Sequence, residues 1–239
     1  MGPLSLRMVG ASVRGPAHVR AGVPNQDAWY ARIRGKGALA VVADGMGSRS
    51  ASREGARAAV AACRMAWNHW AAAPRGSAED LVRLIEVCWR LRLGLIPPDD
   101  AATTCLVYAL RPDGTGVALQ LGDGLIGLHG APGAFRALTP ERAAFASETR
   151  ALGTPHGLRD WMMEPVGVLG SGMAVLLASD GVSDDLLPEK RSGFVDWIQD
   201  EVIATPKPGL SLAKALRNWP VPRHLDDKTV VLLWEQPDE

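Results

Sequence analysis

Cysteine, tyrosine and phenylalanine are scarce in this chain, and long apolar runs are missing. Cys63, Cys88 and Cys105 are its only cysteines among 239 residues. Each lies in an apolar stretch, so they read as small buried hydrophobes in a reducing compartment rather than as a disulfide framework. Tyr and Phe number two and three, whereas Trp numbers eight. The tryptophans suit core or interface positions better than a nucleotide box. No stretch approaches the roughly 20 apolar residues that a membrane span needs. No charged start leads into a signal-like run, and Leu6 stands where a myristoylation motif requires Ser or Thr. The expectation is a cytoplasmic protein that does not engage membranes. An excess of one charge is also lacking, with 26 Lys and Arg against 26 Asp and Glu. That argues against a general nucleic-acid or anionic-membrane surface, while leaving room for a local basic patch. Phosphate loops of the Gly-x-x-x-x-Gly-Lys type, Gly-x-Ser-x-Gly elbows and His-Glu-x-x-His zinc helices are all absent. His69, His129, His156 and His224 form no zinc-spaced cluster.

What is present is a globular chain, 47% hydrophobic, long enough for one large domain or two small ones. Four short apolar runs read as buried strands: 38–43, 104–110, 173–178 and 229–234. Segments 116–121 and 125–129 read as a hairpin across Gly122-Asp123-Gly124. In one helix Ala56, Ala59, Val60, Cys63, Trp67 and Trp70 share a face. In a second, capped by Ser77, so do Leu81, Leu84, Ile85, Cys88 and Leu95, with Pro97-Pro98 as the stop. Later helices are expected over 192–203 and 210–218. Such a mixture suggests layers in which sheets carry a site and helices cover them. The Gly-, Pro-, Thr- and Arg-rich stretch 131–168 reads either as a lid or flap, or as an ordinary surface excursion.

The chemistry lies in the aspartates. Three apolar segments run into Asp-Gly: Asp44-Gly45, Asp123-Gly124 and Asp180-Gly181. A fourth acidic element, Asp226-Asp227, precedes the last strand, and Asp184 follows Asp180 by about one helical turn. A carboxylate at the end of a buried strand is costly unless it is paired or bound. Several together repel and require cations, and all-oxygen sets select Mg²⁺, Mn²⁺ or Ca²⁺. Asp-Gly is also a common turn pair, but three such strand ends plus Asp226 exceed what turns alone explain. Spacing by itself points to a hard-metal hydrolase acting on phosphate. Cys105 and Arg111 match tyrosine-phosphatase spacing, yet the residues between them form an apolar strand rather than a phosphate cradle.

The surrounding residues resemble the metal-dependent protein phosphatases of the PPM, or type 2C, family. The matching stretches are Pro24–Ala28 (Pro-Asn-Gln-Asp-Ala), Val42–Ser48 (Val-Ala-Asp-Gly-Met-Gly-Ser), Ala102–Thr104, Leu121–Gly124, Ala178–Asp184 and Asp226–Val231. They follow the family's order along nearly the whole chain. Gly15–His18, Gln26–Ala28 and Asp44–Ser48 resemble a bacterial branch with an Asp-Gly-x-Gly-Ser metal loop. The resemblance implies one α+β domain, 1–239, folded as a four-layer αββα sandwich of two mostly antiparallel sheets with metals in a cleft at the sheet edges. It implies a bridging role for Asp44, a carbonyl ligand from Gly45, and Asp180 and Asp226 as partners. It also implies Asp27 near the site, and Asp123 and Asp184 with Asp180 at a weaker third site. Implied further are two or three Mn²⁺ or Mg²⁺ ions, attack of a metal-bridging hydroxide on phosphoserine or phosphothreonine, and a protein substrate phosphorylated by a Ser/Thr kinase.

Two departures stand out. Met46 replaces a histidine that many members place after the first Asp-Gly. Gly22 replaces an arginine that grips phosphate, a task His18 or Arg20 could take over. These departures keep one alternative open, a pseudophosphatase acting as a regulatory binding module; a second alternative is a hydrolase of small phosphate esters on the same scaffold.

Overall fold

A computed structural model describes residues 5–73, 75–130, 133–138, 150–221 and 224–236. In chain order the strands and helices are β1 (Ser5–Val13), α1 (Pro16–Ala21), β2 (Asp27–Arg34), β3 (Gly37–Asp44), α2 (Ser52–Ala72), α3 (Ala78–Leu93), β4 (Cys105–Leu110), β5 (Gly116–Leu121), β6 (Leu125–Gly130), β7 (Ala134–Ala137), β8 (Met162–Val166), β9 (Ala174–Ala178), α4 (Asp180–Ser183), α5 (Arg191–Trp197), α6 (Pro208–Arg217) and β10 (Lys228–Gln236).

The continuous apolar runs are buried on both faces. From Ala38 to Ala43 every residue is fully buried, and alternate side chains enter different cores, as the two-residue strand period requires. Leu39, Val41 and Ala43 pack with α2 and α3, beside Val107 and Leu119. Ala38, Ala40 and Val42 face the other way, toward Val175, Leu177, Val231 and Leu233 of the second sheet. Leu176, Val230 and Leu232 then point outward against Val195, Ile198, Leu212 and Leu216 of the C-terminal helices. The result is the expected αββα sandwich. One sheet has the order β1-β10-β9-β6-β7 and the other β2-β3-β4-β5-β8, with every pairing antiparallel.

One local expectation is overturned. Segments 116–121 and 125–130 are strands, but not a hairpin. β5 pairs with β4 and β8, whereas β6 pairs with β9 and β7. Gly122-Asp123-Gly124 therefore carries the chain from one sheet to the other. Gly122 and Gly124 have φ of 93° and 108°, which side chains other than glycine rarely adopt. Their glycines serve a sheet-to-sheet crossing, which needs the same backbone freedom as a tight turn.

Smaller differences have equally local causes. α3 stops at Leu93, because Gly94 takes φ 61°, so Leu95 lies beyond the helix and is exposed. Ser77 does cap α3, in a reciprocal box with Asp80. The helix expected over 192–203 is α5, prolonged by a π-helical turn, Ile198–Val202. Within 131–168, β7 and β8 each add an edge strand to one of the sheets, while 131–132 and 139–149 lie outside the described residues. Cys63 and Cys105 are fully buried with their sulfurs 3.6 Å apart, and burial pushes the Cys63 thiol well up. Arg111 lies 3.6 Å over the Trp70 ring and donates to the carbonyls of Trp70 and Gly76, far from a phosphate-cradle role. No helix among the described residues is long and apolar enough to cross a membrane.

Candidate metal centre

The acidic residues meet at one end of the sandwich. Asp44 closes β3 and pairs in register with Asp27, which opens β2. From the opposite sheet, β9 leads through Ser179 into Asp180, the first residue of α4, and Asp226 precedes β10. Asp123 sits at the crossing between the sheets. A cleft of about 370 Å³ opens among Asp44, Gly45, Asp123, Asp180, Asp226 and His18.

The Asp44 backbone is fixed on every side. Its N–H donates to Thr104 Oγ1 at 3.0 Å, and its carbonyl accepts from Thr104 N at 2.8 Å and Thr103 Oγ1 at 2.8 Å. The Met46 N–H donates to the Ala102 carbonyl at 2.9 Å, and Thr103 exchanges two backbone bonds with Leu152. The loop that follows β3 is thereby sewn to the 102–104 strap, and the Asp44 side chain lines the cleft. Behind Asp180, a Cβ on Gly181 would overlap the Asp227 carbonyl. Only glycine lets α4 press this closely on the β10 approach.

Electrostatics single out the same residues. Burial pushes the Asp44 carboxyl well above the ordinary carboxylate range, and Asp27 and Asp180 beside it push further. Asp180 is also raised, first by burial, with Asp123, Asp226 and Asp184 adding repulsion and contact with Asp44 opposing it. Asp27 is pushed up to about 7 by burial, despite hydrogen bonds that favour its charged form. Its Oδ2 accepts from Ser179 Oγ at 2.9 Å and Thr229 Oγ1 at 2.6 Å. Asp27 Oδ1 and Asp180 Oδ1 are buried and meet no N–H or O–H donor. Carboxylate oxygens shut away from donors and crowded by like charge are the donor set that a hard divalent cation relieves. The residues therefore fit a hard divalent cation.

Residues 14–219 match the family described as Protein phosphatase 2C. The chain belongs to the protein phosphatase 2C family. No curated protein matches it significantly. Among solved structures, PppA, a key regulatory component of the T6SS in Pseudomonas aeruginosa, superposes with TM-score 0.68 at 20% identity, covering 97% of this chain and 99% of that one. The serine/threonine phosphatase PstP/Ppp of Mycobacterium tuberculosis gives TM-score 0.68 at 21% identity, covering 97% and 99%. The catalytic domain of PstP in complex with two manganese ions gives 0.65 at 22%, covering 98% and 100%. These identities speak to the fold, which is that of the protein phosphatase 2C family.

Within this protein phosphatase 2C chain, the remaining expected residues are placed unevenly. Asp184 follows α4, donates its N–H to the Asp180 carbonyl at 3.0 Å and is exposed. His18 is part of the cleft wall, whereas Arg20 is exposed and is not. Met46 lines the cleft, and Gly22 ends α1. His224 Nδ1 lies 2.6 Å from Asp185 Oδ2, and Trp219 Nε1 donates to that same oxygen.

Asp227 is the residue that sequence reasoning left out of the site. It is buried while Asp226 is exposed. Its Oδ1 accepts from Gly15 N at 2.6 Å and its Oδ2 from Gln26 N at 2.6 Å, with His18 Nδ1 2.9 Å from Oδ2. Ligand atoms of His18, Asp226 and Asp227 lie within 4.8 Å of one another, but these contacts already occupy both Asp227 oxygens. Only strand alternation before β10 hinted that two adjacent aspartates would face opposite ways.

Proposed function

We propose that this chain is a Mn²⁺- or Mg²⁺-dependent protein serine/threonine phosphatase, removing phosphate from phosphoserine or phosphothreonine in proteins that a cytoplasmic kinase has modified. The observation that carries this reading is the convergence of Asp44, Asp180 and Asp226, from two sheets, on one cleft of a protein phosphatase 2C chain. Asp44, the Gly45 carbonyl, Asp180 and Asp226 would hold two ions. Asp123 and Asp184, with Asp180, offer a third, weaker position. When bound, such ions lower the pKa of water and offset phosphoryl charge. The chain does the rest: the Thr103-Thr104 strap holds Asp44 in place, Asp27 backs Asp44 from the neighbouring strand, and His18 lines the cleft that a phosphate would enter. The manganese-bound PstP structure supports the choice of metal.

A second reading is a pseudophosphatase that binds a partner without turnover. Met46, which cannot donate a proton, and Gly22, which cannot grip phosphate, favour it. Phosphate release from a phosphothreonine peptide separates the two, measured with Mn²⁺, with Mg²⁺ and with chelator. The expected result is metal-dependent turnover that disappears in Asp44→Ala. A folded, Mn²⁺-loaded protein idle on several phosphopeptides would favour the binding module. Faster turnover of sugar phosphates or nucleotides would instead favour a small-ester hydrolase.

A further inference from the structure

We propose that His18 hands a proton to the departing serine or threonine oxygen, with Asp227 as the residue that positions it. The inference rests on the phosphatase reading and deepens it. An aliphatic alkoxide is a poor leaving group and has to be protonated as its bond to phosphorus breaks. Among the described residues of the cleft wall there is no Lys, Arg, Tyr or Cys. Its non-carboxylate side-chain donors are His18, the Gln26 amide and the hydroxyls of Ser48 and Thr104. Of these, imidazole alone exchanges a proton readily near neutral pH. Thr104 is almost wholly buried and holds the Asp44 N–H. The acidic residues are committed to cations, and Met46 has no proton to give.

The placement of His18 is built, not incidental. Its helix, α1, is docked on the loop that presents Asp226: the Ala17 N–H donates to the Leu225 carbonyl at 3.0 Å. Asp227 ties Gly15 and Gln26, on either side of α1, to the same loop. His18 Nδ1 is shut off from solvent and lies 2.9 Å from Asp227 Oδ2, an ion-pair contact without hydrogen-bond geometry. The side chain as a whole is 19% exposed and lines the cleft, and Nε2 is the ring nitrogen left to act there. The segment that carries Asp226 thus also holds in place the helix whose His18 lines the same cleft.

In the step itself, the bond between phosphorus and the ester oxygen breaks and its electron pair goes to that oxygen. The same oxygen takes the proton from Nε2 of the imidazolium. Water supplies the new oxygen on phosphate and releases its proton to solvent. The neutral imidazole regains a proton from solvent through the mouth of the cleft.

The test compares leaving groups. With Mn²⁺ present, His18→Gln and His18→Ala are assayed on a phosphothreonine peptide and on p-nitrophenyl phosphate, whose phenolate departs without a proton. Peptide turnover should fall ~100-fold or more, with a loss at least about tenfold smaller on the aryl ester. Added imidazole should restore peptide turnover in His18→Ala. Calorimetric Mn²⁺ affinity should match wild type, which also shows that the variants fold. Equal losses on both substrates would mean that His18 grips phosphate, and weakened Mn²⁺ binding would mean that it is a ligand. Either result overturns the proposal, as does peptide turnover that His18→Gln leaves intact. A wild-type protein idle on both substrates would sink the phosphatase reading, and this inference with it.

Discussion

Without metal, this protein should lose stability as pH rises through neutrality, in a window where most proteins change little. Asp27 titrates near 3.8 ordinarily and near 7 in the folded chain. Between those values the folded state keeps a proton that the unfolded chain has released. The stabilisation is therefore complete below pH 3.8 and lost as pH rises through 7. The rise from 3.8 to about 7, at ~1.4 kcal/mol per pH unit, is worth ~4.5 kcal/mol in all, of which ~3 kcal/mol is lost between pH 5 and 8. Asp44 and Asp180 are shifted in the same direction and add to it. At a few degrees per kcal/mol for a domain of this size, the melting temperature should drop by roughly 10 °C. The assay is thermal unfolding in chelator across pH 5, 6, 7 and 8, repeated with saturating Mn²⁺. Metal should abolish most of the drop. Asp27→Asn, which still accepts from Ser179 and Thr229, should flatten the chelated curve. A chelated protein whose melting temperature stays flat or climbs from pH 5 to 8 would refute the reasoning.

Three further outcomes follow from particular contacts. Asp180→Asn or Asp226→Asn should abolish Mn²⁺-dependent turnover while circular dichroism stays native; wild-type rates in either would sink the proposed metal set. Gly181→Ala should cost about 1–3 kcal/mol in urea unfolding, because its Cβ would meet the Asp227 carbonyl, and should weaken Mn²⁺ binding as Asp180 shifts. Arg111→Ala should cost about 2–4 kcal/mol through its two lost carbonyl bonds and the bared Trp70 face. It should leave KM for a phosphopeptide unchanged, since none of these groups lines the cleft.

The parts of this fold legible in the sequence were those written in local patterns. β3, β4, β9 and β10 are doubly buried, so their apolar runs are continuous and end abruptly at charged or polar residues. β2 alternates irregularly between buried and exposed, and its Trp29 is partly exposed, so no clean period marked it as a strand. The crossing at Gly122–Gly124 misled because glycine signals backbone freedom without saying where the next strand goes. That destination is set by pairing with strands distant in sequence, β9 for β6 and β8 for β5. Asp44, Asp180 and Asp226 were legible for the opposite reason: charge at a strand end is unusual however the strands are arranged. Asp227 was hidden because its role depends on the backbone N–H groups of Gly15 and Gln26, about two hundred positions earlier.

The two sheets contribute to the centre separately, Asp27 and Asp44 from one and Asp180 and Asp226 from the other. Mechanically, a cation held among them would be a rivet through the seam of a laminate whose plies otherwise meet through an apolar layer, with the bonds from Ser179 and Thr229 to Asp27 at its rim. With the rivet out, like charges pry at the seam where it opens to solvent, so fraying should begin there and spread inward between the sheets. With it in, a shear that slides one ply over the other has to break coordination bonds before it can move a single leucine.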